Sequence, residues 1–365
     1  MKNVVETGLV LASLSLAAFG LSYAGVAGVR RWAERQQVLD IPNERSSHTH
    51  PTPRGGGLAI VGLVLIGLPI LALMAGSFSW RAVLTYMAAS AFIAGVGWMD
   101  DRGSLSARFR LGVHIVAAVM AITGLGYFTT LTLPFGVSLH LRWLGLPLAL
   151  VWIVGLTNAY NFMDGIDGLA GGQAVVAGAF WVVVGWRDQL TLAAGVGLLT
   201  TAASLGFLAH NWPPARIFMG DAGSGFLGCT FALLPALAST SEPRLLLAGA
   251  LVMWPFIFDT AITLLRRLRR RENIFQAHRS HLYQRLVIAG RSHAAVTSLY
   301  LGLALLGGLA GVAWALAWPA ADVILLLIPM AGLGVWAGVV WSERQAASAT
   351  IGVRRGNSSE RQSRR

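Results

Sequence analysis

Long apolar runs, separated by short polar or Gly/Pro-rich breaks, make up most of the chain. Each run is close to the length of about 20 residues that an α-helix needs to cross a bilayer. The eleven predicted spans lie at about residues 8–28, 55–76, 82–99, 109–128, 143–160, 170–186, 190–209, 223–240, 244–265, 294–316 and 320–341. The pattern therefore predicts an all-α, polytopic integral membrane protein.

Composition agrees with a membrane protein. Apolar residues account for 55% of the chain and charged residues for 12%, whereas an ordinary globular domain is about 25% charged. This excludes a soluble fold. We predict one membrane domain over residues 1–341 and a basic, disordered cytoplasmic tail over residues 342–365. The single cysteine, Cys229, excludes an intramolecular disulfide and is interpreted as a packing residue.

The basic residues concentrate in alternate loops. They lie mainly between residues 29 and 54, 100 and 110, and 266 and 291, and after residue 342. The positive-inside rule makes these segments cytoplasmic, which places the N-terminus outside and the C-terminus in the cytoplasm. The net charge of +12 is then explained by contact with anionic lipids of the inner leaflet, and we expect no nucleic-acid partner.

The remaining polar residues cluster on this same predicted side of the membrane. Polar groups at membrane depth are costly and usually functional. We therefore expect the active groups in the cytoplasmic loops and span ends at residues 29–54, 100–108, 158–170, 210–222 and 266–293.

Two of these clusters combine charge with an abrupt end of an apolar run. In the Pro/Gly-punctuated loop of residues 40–57, Arg45 and His48 suit phosphate binding, although a basic loop that only stops translocation has a similar composition. Asp100 and Asp101 close the third span, and adjacent carboxylates repel each other unless a cation or an arginine neutralises them. The candidate arginines are Arg102, Arg108 and Arg110. A solvated helix end is the alternative.

A polar stripe follows at the end of the fifth span. Asn158, Asn161, Asp164 and Asp167 recur every third residue, so in a helix they share one face, which must point inward because lipid would penalise it. The glycine after each aspartate loosens the helix and allows close approach of a ligand or metal. A purely structural stripe would need each of these four polar groups to be either uncharged or partnered.

The segment of residues 218–225 precedes the eighth span. Free backbone N–H groups at a helix start are expected to face the site there. Asp221 offers a hard oxygen to Mg²⁺, and Phe218 can stack on a planar base. A glycine turn in which Asp221 only caps the helix is the alternative.

The longest cytoplasmic loop carries an arginine run, interpreted as a membrane anchor, and then His278, Arg279 and His281. Histidines three residues apart can share a helix face, and arginine binds phosphate through two parallel hydrogen bonds. Asp259, in the ninth span, is expected to pair with a loop arginine or to support the site from behind. The remaining histidines that we considered are interpreted as structural: His114, His140, His210 and His293.

Together these motifs resemble the polyprenyl-phosphate N-acetylhexosamine-1-phosphate transferase family, and the resemblance covers most of the chain. The family motif N-x-x-N-x-x-D-G-x-D-G-L-A is matched throughout by residues 158–170, and F-M-G-D-x-G-S by residues 218–224. The family's D-x-P…R-x-x-H…P-x-x-G-G loop is similar to residues 40–57, and its aspartate pair to Asp100 and Asp101.

The resemblance implies specific roles. Asp221 is expected to bind Mg²⁺, with Mn²⁺ as a substitute, Phe218 to stack on uracil, and Asp164 or Asp167 to help hold the nucleotide. Ser104 stands where some members have a third acidic residue. The His-Arg-Ser-His segment differs from the triple-histidine signature of the peptidoglycan branch and looks more like the O-antigen-initiating branch.

The expected reaction is transfer of an N-acetylhexosamine-1-phosphate, or a related amino-sugar phosphate, from a UDP-amino sugar to undecaprenyl phosphate, with release of UMP. It would start O-antigen or other envelope polysaccharide synthesis at the cytoplasmic face of the bacterial inner membrane, and a homodimer is one expected assembly. A multi-pass transporter and a nucleotide-independent lipid phosphotransferase are the alternatives; transport predicts polar residues at the midplane rather than at one face. We expect catalytic roles for Asp100, Asp101, Asp164 and Asp167, a metal ligand in Asp221, and substrate contacts from Arg45, His48, Asn158, Asn161, Phe218, His278, Arg279 and His281.

Overall fold

The computed structural model describes residues 2–42, 50–273, 276 and 278–363, and side chains are described between residues 12 and 346 with the same gaps. The helices are α1 (Lys2–Arg35), α2 (Gly57–Ala75), α3 (Trp80–Arg102), α4 (Ala107–Leu125), α5 (Gly145–Met163), α6 (Leu169–Arg187), α7 (Thr191–Asn211), α8 (Asp221–Ala238), α9 (Arg244–Val252), α10 (Trp254–Arg269), α11 (Leu282–Ile288), α12 (His293–Ala315), α13 (Ala321–Leu325) and α14 (Leu327–Ser363). Two antiparallel strand pairs join β1 (Leu39–Asp40) to β2 (Thr52–Pro53) and β3 (Thr130–Thr132) to β4 (Ser138–His140).

Ten helices within the described ranges are long and apolar enough to cross a membrane. The eleventh candidate is the pair formed by α9 and α10, which are bent by 78° at a short break. Pro255 lies at the start of α10, where its missing N–H costs no helical hydrogen bond and its fixed φ favours a new helix. Each predicted span has a counterpart, so the all-α, polytopic architecture is confirmed.

Helix α8 is the most enclosed of the spanning helices, and it packs against α3, α5 and α2. Glycines allow the backbones to touch. A Cβ on Gly223 would come within 2.6 Å of the Gly57 Cα, and a Cβ on Gly97 within 2.4 Å of the Asp221 carbonyl oxygen. Close contact through small residues is typical of membrane helices. It brings the start of α2, the end of α3 and the start of α8 to one place.

The short strand pairs were not predicted, because two or three residues carry too little alternation to show in the sequence. The β1–β2 pair closes the loop before α2, and the N–H groups of Gly55 and Gly56 donate to the Phe218 carbonyl oxygen at 3.1 and 2.9 Å. This loop is therefore tied to the segment that precedes α8. Arg45 and His48 lie outside the described residues, so their substrate contacts stay predictions.

The last helix continues beyond the predicted boundary of the membrane domain. Glu343 lies in α14 and accepts two hydrogen bonds from Arg285, at 2.6 and 2.7 Å. The expected disordered tail therefore cannot begin at residue 342, because this ion pair ties α14 to α11. Disorder of the positions after residue 346 stays a prediction.

Candidate active site

The polar clusters of the sequence meet at one end of the helix bundle. The end of α3 supplies Asp100 and Asp101, the end of α5 supplies Asn161, the start of α8 supplies Asp221, and the β2–α2 loop supplies Arg54. Residues from distant parts of the chain thus face one another across distances of about 3 Å.

Asp101 has a fully buried side chain that caps helix α8. Its Oδ1 accepts the N–H of Asp221 at 2.8 Å, and its Oδ2 accepts the N–H of Ala222 at 3.1 Å. Arg54 Nε donates to the same carboxylate at 2.8 Å. The expectation that free N–H groups at this helix start face the site is wrong for these two residues, because a carboxylate of α3 already binds them.

Gly220 makes this cap sterically allowed. Its φ of 81° lies in the left-handed region, and a Cβ there would stand 2.6 Å from Oδ2 of Asp101. Glycine is therefore required both by the backbone conformation and by the approach of the carboxylate.

Asp221 projects its own carboxylate between two arginines and an amide. Asn161 Nδ2 donates to Oδ1 at 2.9 Å, while Arg54 and Arg110 lie 3.3 and 3.9 Å from Oδ2. Burial disfavours the charged form of Arg54, but the neighbouring Asp221 and Asp101 carboxylates outweigh it and raise the Arg54 pKa. Arg54 is thus a fixed positive charge at the centre of the acidic cluster.

Asp100 is neutralised as the sequence predicted, and of the three candidate arginines it is Arg110 that does so. Arg110 Nη1 donates to Asp100 Oδ2 at 2.7 Å, and the N–H of Leu105 donates to Oδ1 at 2.6 Å. Arg102 instead lies over the ring of Trp98. Asp100 and Asp101 are therefore neutralised by two different arginines, Arg110 and Arg54 respectively.

A cavity of about 430 Å³ opens beside these charges. Both apolar and polar side chains line it. The apolar ones include Ile93, Val96, Ala107, Leu111, Phe162 and Leu264. The polar ones include Arg110, His114, Asn158, Asn161, Asp221, Gln276, His278, His281 and Gln284.

His114 is a cavity residue that the sequence reading treated as structural. Its Nδ1 lies 3.0 Å from Nδ2 of Asn158, which also donates to the Val154 carbonyl oxygen. A lone histidine within an apolar span gives no signal of this role; only the neighbouring helix places the asparagine stripe against it.

The predicted stripe divides where α5 ends. Asn158 and Asn161 line the cavity, and burial, followed by the Asp221 charge, raises the pKa of Asp164 to about 7. Asp167 is buried, accepts the N–H of Ala215 at 3.0 Å and lies 3.3 Å from His293 Nδ1. The chain leaves the helix after Met163, so the three-residue spacing no longer keeps Asp167 on the face of Asn158 and Asn161, and its catalytic role stays a prediction.

The histidine loop reaches the cavity from the opposite side. The rings of His278 and His281 stack with centroids 5.1 Å apart, and both line the cavity. Burial, followed by the nearby His281, lowers the pKa of His278 to about 4, so this ring is neutral near pH 7. Arg279 and Phe218 are half-buried and are absent from the residues that line the cavity; Phe162 is the aromatic side chain found there.

Asp259 supports this loop from behind, which is one of the two roles that the sequence analysis expected for it. Its partners include His281 Nδ1 at 3.0 Å and the hydroxyl of Tyr300 at 2.6 Å, rather than a loop arginine. Glycine is required at position 165 by a neighbouring side chain. A Cβ there would overlap the hydroxyl of Tyr283, which donates to the Phe162 carbonyl oxygen.

Mg²⁺ at this site would need a substrate to complete its ligands. Among the residues that the structure describes, no group of three His, Cys, Asp or Glu side chains could hold a metal ion alone. Mg²⁺ is commonly held by one or two carboxylates together with substrate phosphates and water. Arg110 Nη1 lies 2.7 Å from Asp100 and 3.9 Å from Asp221, so two hard-oxygen carboxylates flank one position of positive charge.

Comparison with known proteins agrees with the sequence motifs. The sequence model of glycosyl transferase family 4 matches residues 83–239. The chain is 34% identical over 279 residues to the probable undecaprenyl-phosphate N-acetylglucosaminyl 1-phosphate transferase of Bacillus subtilis, covering 75% of this chain and 76% of that protein. It is 31% identical to the decaprenyl-phosphate N-acetylglucosaminephosphotransferase of Mycobacterium tuberculosis, with coverage of 83% and 82%. It is also 31% identical to a phospho-N-acetylmuramoyl-pentapeptide-transferase of Synechococcus, with coverage of 84% and 92%.

Proposed function

Since the chain belongs to glycosyl transferase family 4, the polyprenyl-phosphate N-acetylhexosamine-1-phosphate transferases, we propose that it transfers N-acetylhexosamine-1-phosphate from a UDP-sugar to undecaprenyl phosphate and releases UMP. The two relatives named for N-acetylglucosamine favour UDP-N-acetylglucosamine as the donor. The product would start O-antigen or another envelope polysaccharide at the cytoplasmic face of the bacterial plasma membrane.

The single observation that carries this proposal is a cavity among the membrane-spanning helices that is lined by both apolar and charged side chains. Its lining includes Val96 and Leu111 as well as Arg110, Asn161 and Asp221. A lipid with a phosphate head presents this same combination of apolar and charged groups. A soluble substrate would not need the apolar side chains, and a lipid without phosphate would not need the charged ones.

The chemistry requires two anions to meet. An acceptor phosphate oxygen attacks the β-phosphorus of the UDP-sugar, the bond to the α-phosphate oxygen breaks, and UMP carries the electron pair away. Arg54, beside Asp101, and Arg110, beside Asp100, supply fixed positive charge that can offset the charge of the two anions. Mg²⁺, held by Asp221 and substrate phosphates, would supply further charge neutralisation.

Proton abstraction is a minor requirement in this reaction. The second pKa of a phosphate monoester is near 6, so the acceptor is largely a dianion at neutral pH. Asp101 is bound on both oxygens by α8, and Asp100 by Leu105 and Arg110. These contacts suit positioning rather than general-base catalysis, which is the role that we assign to both aspartates.

The deciding experiment uses purified full-length protein with undecaprenyl phosphate, Mg²⁺ and a panel of UDP-sugars that includes UDP-N-acetylglucosamine, UDP-N-acetylgalactosamine and UDP-glucose. UMP release and a radiolabelled lipid product should both require the acceptor, and the N-acetylated donors should be preferred. Lipid phosphate turnover without any UDP-sugar would instead indicate a nucleotide-independent phosphotransferase. Sugar uptake into vesicles without UMP release would indicate a transporter.

A further inference from the structure

Asp259 is a fully buried carboxylate that does not line the cavity. Its Oδ1 accepts hydrogen bonds from His281 Nδ1 at 3.0 Å, from the Leu282 N–H at 2.8 Å and from the Thr263 hydroxyl at 3.2 Å. Its Oδ2 accepts the N–H of Tyr283 at 3.0 Å and the hydroxyl of Tyr300 at 2.6 Å. Five donors thus surround one buried acid, which is the condition under which a buried carboxylate can remain ionised.

This arrangement fixes the tautomer of His281. An ionised carboxylate only accepts hydrogen bonds, so Nδ1 of His281 must carry the proton that it shares with Asp259. In the neutral ring Nε2 then holds the lone pair, and this is the nitrogen that can serve the cavity that His281 lines.

The ring also has little freedom to turn. His281 is buried and stacks against His278 and Tyr283, with centroids 5.1 and 5.8 Å away. Its backbone N–H donates to the side chain of Gln284 at 3.3 Å, which holds the start of α11. Rotation that exchanged Nδ1 and Nε2 would break the contact with Asp259 and these stacks together.

We propose that Asp259 is a positioning residue that holds His281 in the Nδ1-protonated tautomer, so that Nε2 contacts a phosphate of the substrate bound in the cavity. This inference rests on the proposed function, because it needs a phosphate-bearing substrate in that cavity. In the transferase, Asp259 acts only through His281, whereas Tyr300 donates to Oδ2, the carboxylate oxygen that His281 does not contact.

The matched variants are Asp259→Asn, Tyr300→Phe and His281→Gln. In Asp259→Asn an amide NH₂ must replace one carboxylate oxygen, where it faces either Tyr283 N–H or the donors around Oδ1. We expect kcat to fall at least ~10²-fold, with KM for the UDP-sugar changed less than about threefold. Tyr300→Phe keeps the Asp259–His281 contact, and its kcat should stay within about fivefold of the parent.

A double variant separates positioning from general loss of structure. If Asp259 acts through His281, then Asp259→Asn combined with His281→Gln should be no slower than His281→Gln alone, within about threefold. Multiplied losses in the double variant would overturn the proposal. Melting temperature and monodisperse elution of each variant establish that the comparison is between folded proteins.

A readout that needs no turnover tests the tautomer directly. In ¹⁵N-histidine-labelled protein, the His281 resonances are those that disappear in His281→Gln. The parent should show a protonated Nδ1 and an unprotonated Nε2, and Tyr300→Phe should keep this pattern. An Nε2-protonated His281 in the parent would overturn the proposal whether or not the protein releases UMP. Failure of UMP release with the expected tautomer would count against the proposed function alone.

Discussion

The charged side chains of the site neutralise one another. Arg54 lies between Asp101 and Asp221, and Arg110 lies beside Asp100. A carboxylate removed from water is costly unless it is paired or hydrogen-bonded, and Asp100, Asp101 and Asp221 each lie within 4 Å of an arginine. Removal of one acid should therefore alter a defined function rather than unfold the protein.

Asp221 should be indispensable for turnover. Asp221→Asn keeps the size of the side chain and can still accept from Asn161, but it removes the anionic oxygen that lies 3.3 Å from Arg54. We expect kcat to fall about 10³-fold, which corresponds to about 4 kcal/mol, with the melting temperature within a few degrees of the parent. UMP release titrated with Mg²⁺ measures the effect. Unchanged Mg²⁺ dependence would remove Asp221 from the metal role.

Asp101 should show a deficit that high pH does not rescue. Its oxygens are bound to α8 and Arg54, so Asp101→Asn should weaken positioning and lower the rate about 10²-fold. The ratio of variant to parent rates, measured at saturating Mg²⁺ between about pH 5.5 and 8, should stay far below one throughout. Since the lipid phosphate loses its proton unaided in this range, a ratio that rises toward one would restore a general-base role.

Asp164 should make stability depend on pH. Its pKa is raised to about 7 in the folded protein, so between about pH 4 and 7 the folded state binds this proton more tightly than the unfolded state. The stabilisation is present below about pH 4 and is lost as the pH rises through 7. In metal-free buffer, the melting temperature of the parent should fall about 2–5 °C more than that of Asp164→Asn between pH 5 and 8.

Asp188→Asn is the matched control for this measurement. Asp188 follows the end of α6 farthest from the site and pairs with Arg187. The Asp188→Asn variant should show the same difference in melting temperature between pH 5 and pH 8 as the parent. Parallel curves for the parent and Asp164→Asn would contradict the assigned pKa.

At the residue scale, the acids and amides of the site could be chosen from the sequence because such groups are rare at membrane depth. Arg54 could not be singled out in the same way. It is one of several basic residues in its loop, and only the β1–β2 pair and the contact with Phe218 direct it toward Asp101. His114 was missed because its partner, Asn158, is 44 residues away in the chain.

At the scale of elements, the site depends on how closely α3 approaches α8. The contact is between backbones, because Gly97 has no Cβ to hold the helices apart. Asp101 lies one turn further along α3, so this approach also sets the distance from its carboxylate to the N–H groups of Asp221 and Ala222.

Gly97→Ala should therefore damage both stability and activity. The new Cβ would stand 2.4 Å from the Asp221 carbonyl oxygen, and backbone atoms cannot move aside as a flexible side chain can. We expect a cost of about 1–3 kcal/mol and a loss of UMP release. Gly95→Ala, on the same helix with nothing within 4 Å, should be neutral or stabilising by up to about 1 kcal/mol. Equal melting temperatures for the two variants would contradict this account.

Helices were predictable because a spanning segment needs about 20 apolar residues, whereas details at their ends were not. The stripe from Asn158 to Asp164 follows helical spacing as far as α5 lasts. Asp167 falls after the helix has ended, where spacing along the sequence no longer determines direction. Similarly, the break between α9 and α10 leaves the apolar run uninterrupted, so only the structure shows the bend.

At the scale of the whole molecule, the distribution of charge predicts which end of the bundle faces the cytoplasm. Helix α4 has 19 residues and is about 28 Å long, and it separates Ser104, at the site end, from Ser138 in the β3–β4 hairpin. In a Cys229→Ala background, Ser104→Cys and Ser280→Cys should react with a membrane-impermeant maleimide only from the cytoplasmic side. Ser138→Cys should react only from outside. The reverse pattern would invert the predicted orientation.

The cap that Asp101 provides has a consequence for biogenesis. Asp101 is synthesised 120 residues before the Asp221 N–H that it binds, and four spanning helices, α4 to α7, are made between α3 and α8. A nascent chain that has not yet reached residue 221 therefore carries Asp101 without the helix start that binds it, whereas Asp100 already has Leu105 and Arg110. Insertion of α8 supplies those N–H groups and the Asp221 carboxylate in a single step. Membrane-inserted intermediates that end before α8 therefore contain Asp101 but not the cap that it forms.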